Sequence, residues 1–234
     1  MLTLALDAST SIVTVAVARA EEYAGPWSRR EVLAEISVPS RGASETLLPA
    51  AHAALSLAGS DLGEVERILV GVGPGTFTGI RIAIATARAI ALATGAMLSR
   101  NTTLSALAAP ALLSAKEPDV LAVLDAKRRQ VFAQRFARDG VGEEILCVMP
   151  EELAAKLPAG NAQLVVGDGA VRYREALSAL GRIPPDTSPL HRVTAVGHVL
   201  SADLTPVPSE EIVPLYVREP DAEVRRDLNP WSGA

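Results

Sequence analysis

Short apolar runs alternate with longer segments of helical period along this chain. Leu2–Leu6 and Ile12–Ala18 flank a polar turn and predict a β-hairpin, and Val32–Val38 predicts a third strand. Glu21–Arg30, between the second and third strands, contains glycine and proline and predicts a loop. Arg67–Val72 predicts the next strand, which ends in a glycine-rich turn. These runs predict a β-sheet in the first third of the chain.

Two helices are predicted beside these strands. Leu47–Ala58 has helical periodicity, and Ser44 precedes it as a candidate N-cap. Pro49 moves the expected start of the regular helix a few residues later, because proline is tolerated best in the first turn. Gly79–Thr94 predicts a longer helix, which Gly95 ends.

The second half of the chain repeats this pattern less regularly. Val120–Leu124 ends at an aspartate, and Val131–Phe136 follows after a basic turn, as in the first hairpin. Leu164–Val166 predicts another strand, followed by a helix that extends to about Leu180, and Thr194–Ser201 predicts a short helix. Alternating strands and helices indicate an α/β protein. The two strand–aspartate–turn–strand units indicate two related lobes around a cleft.

Composition changes this picture little. The 234 residues are 49% hydrophobic, enough for a sizeable core, but only 3% are aromatic, so that core must be aliphatic. The net charge of -5 argues against a dedicated nucleic-acid-binding protein, although it leaves room for a nucleic acid held by a partner.

Three features indicate a cytoplasmic protein. The N-terminus lacks the basic region of a signal peptide. The single cysteine, Cys147, has no partner for an internal disulfide. The most apolar stretch, Ile80–Leu98, contains Arg81 and Arg88, and burying two arginines in a bilayer costs several kcal/mol each. No membrane span is therefore predicted.

The first candidate site is Asp7 with the hydroxyl residues Ser9, Thr10 and Ser11. An aspartate at a strand end, followed by small hydroxyl residues in a tight turn, suits a metal ion or phosphate oxygens. The alternative is a plain hairpin in which these side chains satisfy nearby backbone groups, and spacing alone favours it.

The second candidate is the glycine-rich turn at Gly73, Gly75 and Gly79. Glycines and threonine hydroxyls at a strand-to-helix junction can hold an anion at the helix N-terminus. The segment is neither a Walker A loop nor a dinucleotide-binding fingerprint. A tight turn that needs glycine for its backbone explains the sequence equally well.

The third candidate is Asp125-Ala126-Lys127-Arg128-Arg129, whose consecutive bases suit phosphate. A solvated hairpin tip is the interpretation that an isolated basic triplet favours. The histidines lack the spacing of a metal site, and no serine or cysteine lies in a nucleophile motif. The sequence therefore predicts no catalytic residue and no metal ligand.

The two predicted helices carry more apolar surface than one sheet covers. Either the helices bury each other or they present an apolar surface to another protein, and we favour the second interpretation. The predicted interface residues are Leu47, Leu48, Ala51, Leu55, Arg81, Ile84, Ala85, Arg88 and Leu92.

Four segments resemble the bacterial TsaB (YeaZ) family in the same order along the chain. They are LALDASTSIVTVAV, GVGPGTFTGIRIAIATARAIALATG, LDAKRRQVFAQRF and PLYVREPDAE. The resemblance covers residues 2 to about 223, and the glycine-rich segment with its helix is its most specific part. It implies an α/β, actin-like and sugar-kinase-like (ASKHA) duplicated fold with two lobes around a cleft. The expected units are an N-terminal lobe at residues 1–100 that carries the partner-binding helices, a C-terminal lobe at residues 101–216 and an irregular tail at residues 217–234.

The resemblance also implies a function. Family members take part in making N6-threonylcarbamoyladenosine at position 37 of tRNAs that read ANN codons, with TsaD as the catalytic subunit. TsaD carries a metal on an HxxxH motif after the corresponding helix, whereas Ser99–Ala106 contains no histidine here. This difference implies a non-catalytic partner subunit. The resemblance further implies that the two helices pair with those of TsaD, and that the same surface forms a homodimer in the isolated protein. It also implies that the ATPase TsaE binds the heterodimer, and that the chain meets tRNA only through the complex.

Departures from nucleotide-binding members of the fold imply a vestigial cleft without a cofactor. Alanine follows Asp7, and Ala126-Lys127 follows Asp125, where active members have glycines. The cleft residues are Asp7, Ser9, Thr10, Ser11, Gly73, Gly75, Asp125, Lys127, Gly167 and Gly169. The alternative function is an active Mg-ATP-dependent ATPase or kinase that uses the two aspartates. A peptidase is the weakest hypothesis, because metal spacing and a nucleophile are both lacking.

Overall fold

Two mixed β-sheets form the framework of the chain. The computed structural model describes residues 1–21, 30–39, 42–157 and 163–218. The predicted loop Glu21–Arg30 and the predicted tail therefore lie largely outside the described residues.

The first sheet contains β1 (Leu2–Asp7), β2 (Ile12–Arg19), β3 (Glu31–Pro39), β4 (Arg67–Gly71) and β5 (Met97–Asn101). Its order is β3-β2-β1-β4-β5, with β1 antiparallel to β2 and parallel to β4. Every residue of β1 and β4 is buried, as expected for central strands that are covered on both faces. The predicted hairpin and the two following strands are confirmed, whereas the sequence pattern does not predict β5.

Helices α1 (Ala43–Leu57) and α2 (Phe77–Thr94) cover one face of this sheet. α2 is long and apolar enough to cross a membrane, judged by length and composition only. One side of it, including Ile80 and Ala83, is instead buried against the sheet, as in the core helix of a globular domain. α2 ends at Gly95, as predicted, and the left-handed φ of 78° there explains the glycine.

The start of α1 differs from the prediction. Gly42, rather than Ser44, is the N-cap, and its carbonyl accepts hydrogen bonds from Glu45 N at 3.2 Å and Thr46 Oγ1 at 2.8 Å. Ser44 lies inside the first turn. Pro49 also lies inside the helix, which therefore lacks one backbone donor at that position.

The second sheet contains β6 (Asp119–Lys127), β7 (Gln130–Ala137), β8 (Leu146–Val148) and β9 (Gln163–Val166), in the order β8-β7-β6-β9. β6 is antiparallel to β7 and parallel to β9. The first sheet has the same arrangement, with an antiparallel hairpin whose first strand also pairs with a parallel strand. The repeated arrangement confirms the duplication that the two strand–aspartate–turn–strand units predict.

Among the described residues, five α-helices follow β5. They are α3 (Thr103–Ser114), α4 (Pro150–Lys156), α5 (Asp168–Arg172), α6 (Arg174–Leu177) and α7 (Ala195–Ser201). The sequence pattern does not predict α3 or α4. The single helix predicted to extend to Leu180 is wrong, because the backbone breaks at Tyr173, where φ is -114° and ψ is 33°.

Helices α3 and α7 join the two halves. α3 packs on the second sheet and α7 on the first, and a Cβ at Gly197 of α7 would collide with the carbonyl oxygen of Ala106 in α3. After α7 the chain returns across the first sheet, where Val207 N bonds to Leu98 O at 2.8 Å and Leu215 N bonds to Val72 O at 2.7 Å. Residues 195–215 therefore contact the first sheet, and the division into lobes at residue 100 stays a prediction.

Candidate functional site

Asp7 lies at the end of β1 and is fully buried. Its Oδ1 accepts hydrogen bonds from Ser9 N and Ser9 Oγ, both at 2.8 Å. Its Oδ2 lies 3.0 Å from Nε2 of His198, which is also fully buried on α7. Thr103 Oγ1 in turn donates to Ser9 Oγ at 3.0 Å. Both carboxylate oxygens are thus engaged by residues of this chain.

The glycine-rich turn closes over the same strand end. A Cβ at Gly75 would collide with the carbonyl oxygen of Ser9, and one at Gly79 would collide with that of Ala8. Thr76 N donates to Ser9 O at 2.6 Å. Gly73 has φ of 105°, and its carbonyl accepts a bond from Thr103 N at 2.8 Å. The glycines therefore let the start of α2 approach the β1–β2 turn closely.

The remaining hydroxyl residues of the first turn lie farther out. Thr10 is half-buried, and its Oγ1 accepts a bond from Ile12 N at 3.1 Å. Ser11 is exposed. The structure brings Asp7 and Ser9 together with the glycine-rich turn, whereas Thr10 satisfies a local backbone group.

Asp125 occupies the equivalent position in the second sheet and is held by two cations. Its Oδ2 lies 2.9 Å from Lys127 Nζ and 3.1 Å from Arg172 Nη1, and its Oδ1 accepts a bond from Lys127 N at 3.0 Å. Burial raises the pKa of the Asp125 carboxyl, but the hydrogen bonds from Lys127 and the charges of Lys127 and Arg172 outweigh it, so the pKa lies below its usual range.

Gly167 and Gly169 bring the start of α5 against β6. A Cβ at Gly167, where φ is 115°, would collide with the carbonyl oxygen of Val123. Gly167 N donates to Nδ1 of the buried His191 at 3.1 Å, so the other ring nitrogen carries the proton and donates to Pro184 O at 3.2 Å. These glycines, too, serve close packing.

These contacts do not fit a bound Mg-nucleotide. The Asp7 carboxylate has no exposed surface, and backbone atoms occupy the space beside the turn glycines. Lys127 forms an ion pair with Asp125. Within residues 1–21, 30–39, 42–157 and 163–218, no three His, Cys, Asp or Glu side chains come together as a metal-ligand set. Cys147 is half-buried, and burial raises the pKa of its thiol, which disfavours the nucleophilic thiolate.

The predicted interface residues divide into two groups. Leu47, Ala51, Leu55 and Ile84 are buried in the core of the chain, and Ile84 is only 5% exposed. The sheet and the contact between α1 and α2 bury them. This agrees with the alternative interpretation that the two helices bury each other. The other predicted residues reach the surface: Leu48, Arg81, Ala85 and Leu92 are exposed, and Arg88 is half-buried.

The exposed side of α2 carries a single charged residue, and most of its other residues are apolar. Between Phe77 and the helix end, its exposed residues are Thr78, Arg81, Ala85, Ala89, Leu92 and Ala93, and Leu92 is 89% exposed. On the neighbouring α1, Leu48 and Leu57 are also exposed. We call these exposed residues of α1 and α2 the helical face. A solvated helix normally presents charged residues on such a side.

Arginines hold the segment after α7 against the edge of the helical face. Arg88 Nη2 donates to Ser209 O at 2.6 Å and to Ile212 O at 3.1 Å. Arg81 Nε donates to Tyr216 Oη at 2.8 Å, and its guanidinium lies 3.7 Å from the Phe77 ring centroid. Both predicted interface arginines therefore have partners within the chain, and Arg81 remains exposed.

Sequence reasoning missed several of these partners. His198 is 191 positions from Asp7, and Arg172 is 47 positions from Asp125. Thr103, which bonds to Ser9, lies on a helix that the sequence pattern does not predict. No local pattern connects residues so far apart, so only the tertiary fold reveals these pairs.

The repeated sheets joined by α3 and α7 define the class as an ASKHA-type fold. A solved structure from Pseudomonas aeruginosa, described as an uncharacterized protein with similarity to peptidase YeaZ, aligns with a TM-score of 0.74 at 25% identity, covering 93% of this chain and 99% of that one. An uncharacterized protein of Mycobacterium tuberculosis is 34% identical over 221 residues, 94% of this chain and 93% of its own length.

Two further matches give the family. The family described as TsaD: tRNA N6-adenosine threonylcarbamoyltransferase matches residues 36–180. The tRNA threonylcarbamoyladenosine biosynthesis protein TsaB of Escherichia coli is 30% identical over 154 residues, which is 64% of this chain and 63% of that protein. The chain belongs to this family, and within it to the TsaB (YeaZ) proteins.

Proposed function

We propose that the chain is the non-catalytic partner subunit of a TsaD-type transferase that makes N6-threonylcarbamoyladenosine at position 37 of tRNAs reading ANN codons. The named relatives are threonylcarbamoyladenosine biosynthesis proteins, which supports the pathway. The role within it is argued from the surface and from the two aspartates.

The helical face is the observation that carries the proposal. The α2 part of this face exposes alanines and Leu92 to solvent, and its single charged residue is Arg81. Small side chains let a second helix approach closely, and leaving this apolar surface in water gains nothing for the isolated chain. A helical partner that packs along α1 and α2 removes this surface from water.

The site geometry supports the absence of catalysis. A nucleotide-dependent enzyme of this fold needs carboxylates that reach a metal or phosphate. Here the Asp7 oxygens are taken by Ser9 and His198, and Asp125 by Lys127 and Arg172. This arrangement favours the partner subunit over the alternative of an ATPase or kinase.

The wider assembly follows from the same proposal. The helical face pairs two copies of the chain when the TsaD-type subunit is absent, and the two subunits together bind the ATPase TsaE. We expect the complex to meet tRNA in the cytoplasm.

The test replaces Leu92, which is 89% exposed, by glutamate. Leu92→Glu places a charge in the proposed contact and should weaken binding of the TsaD-type subunit at least about tenfold, because the charge is desolvated without a partner. Affinity is measured by isothermal titration calorimetry with the purified subunit.

The matched control is Leu113→Glu, at an exposed leucine near the end of α3. Both variants should change the free energy of unfolding by less than about 0.5 kcal/mol, as surface substitutions do. Equal affinities of the two variants for the TsaD-type subunit would refute the proposed contact.

A further inference from the structure

Arg81 is held in one orientation near the start of the helical face. Its guanidinium stacks on the Phe77 ring, 3.7 Å from the centroid, and its Nε donates to Tyr216 Oη at 2.8 Å. The Phe77 and Tyr216 rings also stack, with their centroids 5.4 Å apart. Phe77 precedes Arg81 by one helical turn, so both side chains lie on the same side of α2. These contacts occupy one face of the guanidinium and its Nε.

The terminal nitrogens of the same guanidinium are open. The Arg81 side chain is exposed, and no acceptor in the described part of the chain bonds to its Nη1 or Nη2. The Tyr216 hydroxyl accepts the bond from Nε, and its own proton has no acceptor within the described ranges. Two nitrogen donors and one hydroxyl donor are therefore available to an incoming group.

The two residues that hold Arg81 are unusual for this chain. Phe77 is 43% exposed and Tyr216 is 39% exposed, and among the described residues they are the two exposed aromatic side chains. We call Phe77, Arg81 and Tyr216 the arginine cluster. Aromatic residues and arginine are enriched at the energetic centres of protein interfaces. A guanidinium that is already ordered also loses little side-chain freedom when a partner binds.

The charge of Arg81 restricts what can cover the helical face. Ala85 and Leu92 continue the exposed side of α2 beyond Arg81, so a subunit that packs along them also covers the arginine. Removing a guanidinium from water without an anion is strongly unfavourable. α2 contains no acidic residue, and α1 contains one, Glu45 near its start. The covering surface must therefore bring an acceptor, and a carboxylate fits the two terminal nitrogens with parallel hydrogen bonds.

We propose that the TsaD-type subunit places an aspartate or glutamate carboxylate on Arg81, where it accepts hydrogen bonds from the terminal nitrogens and from the Tyr216 hydroxyl. This inference rests on the proposed function, because it needs that subunit to cover the helical face. It adds the chemistry of the contact, which is an apolar helical surface with an acidic residue opposite the arginine cluster.

The test uses Arg81→Met, which removes the charge and keeps a long unbranched side chain. An acidic residue opposite Arg81 predicts that the TsaD-type subunit binds at least about thirtyfold more weakly, because its carboxylate loses its cation in a desolvated contact. A purely apolar partner surface predicts the opposite, because methionine then removes the cost of burying a charge. Affinity is measured by isothermal titration calorimetry, and unchanged or tighter binding would overturn the inference.

Two further variants sharpen the test. Tyr216→Phe keeps the stacked ring and the charge of Arg81 but removes the hydroxyl, and should weaken binding about threefold to tenfold. Arg138→Met, at an exposed arginine just after β7, removes one positive charge elsewhere and should leave the affinity unchanged. An equal loss of affinity in Arg138→Met would show an effect of net charge alone and would also overturn the inference.

Leu92→Glu separates this inference from the proposed function. If Leu92→Glu weakens binding and Arg81→Met does not, the helical face is the contact and only the inference fails. If the wild-type chain does not bind the TsaD-type subunit at all, the proposed function fails. An Arg81→Met variant that keeps this binding but loses self-association in light scattering would assign the carboxylate to a second copy of the chain, which also overturns the inference. A melting temperature close to that of the wild type shows that each variant is folded.

Discussion

Single residues explain why the carboxylate of Asp7 is buried and fully engaged within the chain. The sequence alone leaves Asp7 open as a metal or phosphate ligand, because its partner His198 is distant along the chain. The same holds for the glycine-rich turn, where a cradle and a tight turn are equally good explanations. The backbone contacts of Gly75 and Gly79 with the β1–β2 turn favour close packing as the reason for these glycines. These outcomes depend on tertiary contacts and were beyond sequence reasoning.

The pair of Asp7 and His198 gives a prediction at this scale. His198→Ala should lower the free energy of unfolding by about 3 kcal/mol, because it leaves one oxygen of a fully buried carboxylate without its hydrogen-bond partner. Chemical denaturation measures the loss. His52→Ala, at an exposed histidine on α1, is the control and should change stability by less than about 0.5 kcal/mol. A loss below about 1 kcal/mol for His198→Ala would show that Ser9 alone satisfies Asp7.

At the scale of elements, the sequence predicts those with a clear period or boundary. β1, β2 and β4 are apolar runs between polar turns, and α2 ends at Gly95, as predicted. α3 was missed because it is apolar and buried nearly all round, so it shows no amphipathic period. α1 was placed late because Pro49 weighs against a helix that tertiary packing nevertheless forms.

The segment after α7 shows a second kind of element that patterns cannot reveal. It is largely irregular, so its carbonyl groups find donors outside a helix or sheet ladder. Arginines supply them: Arg67 donates to Leu204 O, Arg88 to Ser209 O, and Arg100 to Glu211 O at 3.0 Å. These arginines fasten the segment to the first sheet and to α2.

Arg88→Met tests this fastening. The variant removes two hydrogen bonds to carbonyl oxygens while keeping a long apolar side chain, and should lower the free energy of unfolding by about 1–3 kcal/mol. Hydrogen exchange should accelerate at the amides of Val207 and Leu215, which bond to the first sheet. Arg19→Met, whose arginine makes a surface ion pair with Glu31, is the control. Unchanged exchange in Arg88→Met would show that the sheet contacts hold the segment alone.

At the scale of the whole molecule, duplication provides two equivalent aspartates and a shared joint, and the chain uses them for packing. Asp7 is closed by a helix from the second half of the chain, and Asp125 by cations of its own hairpin and of α5. The unused apolar surface lies elsewhere, on the helical face. This arrangement supports the proposal that the chain contributes a surface to an assembly and that the chemistry belongs to its partner.

Reconstituted tRNA modification tests whether the chain is a non-catalytic partner subunit. The rate of N6-threonylcarbamoyladenosine formation is measured with the TsaD-type subunit, TsaE and the threonylcarbamoyl donor, at increasing concentrations of this chain. We expect the chain alone to give no product and the rate to rise to saturation when the chain is added to the other components. Leu92→Glu should require at least about tenfold more protein than Leu113→Glu to reach the same rate. Product formation by the chain alone, or a rate that does not depend on the chain, would refute the proposed function.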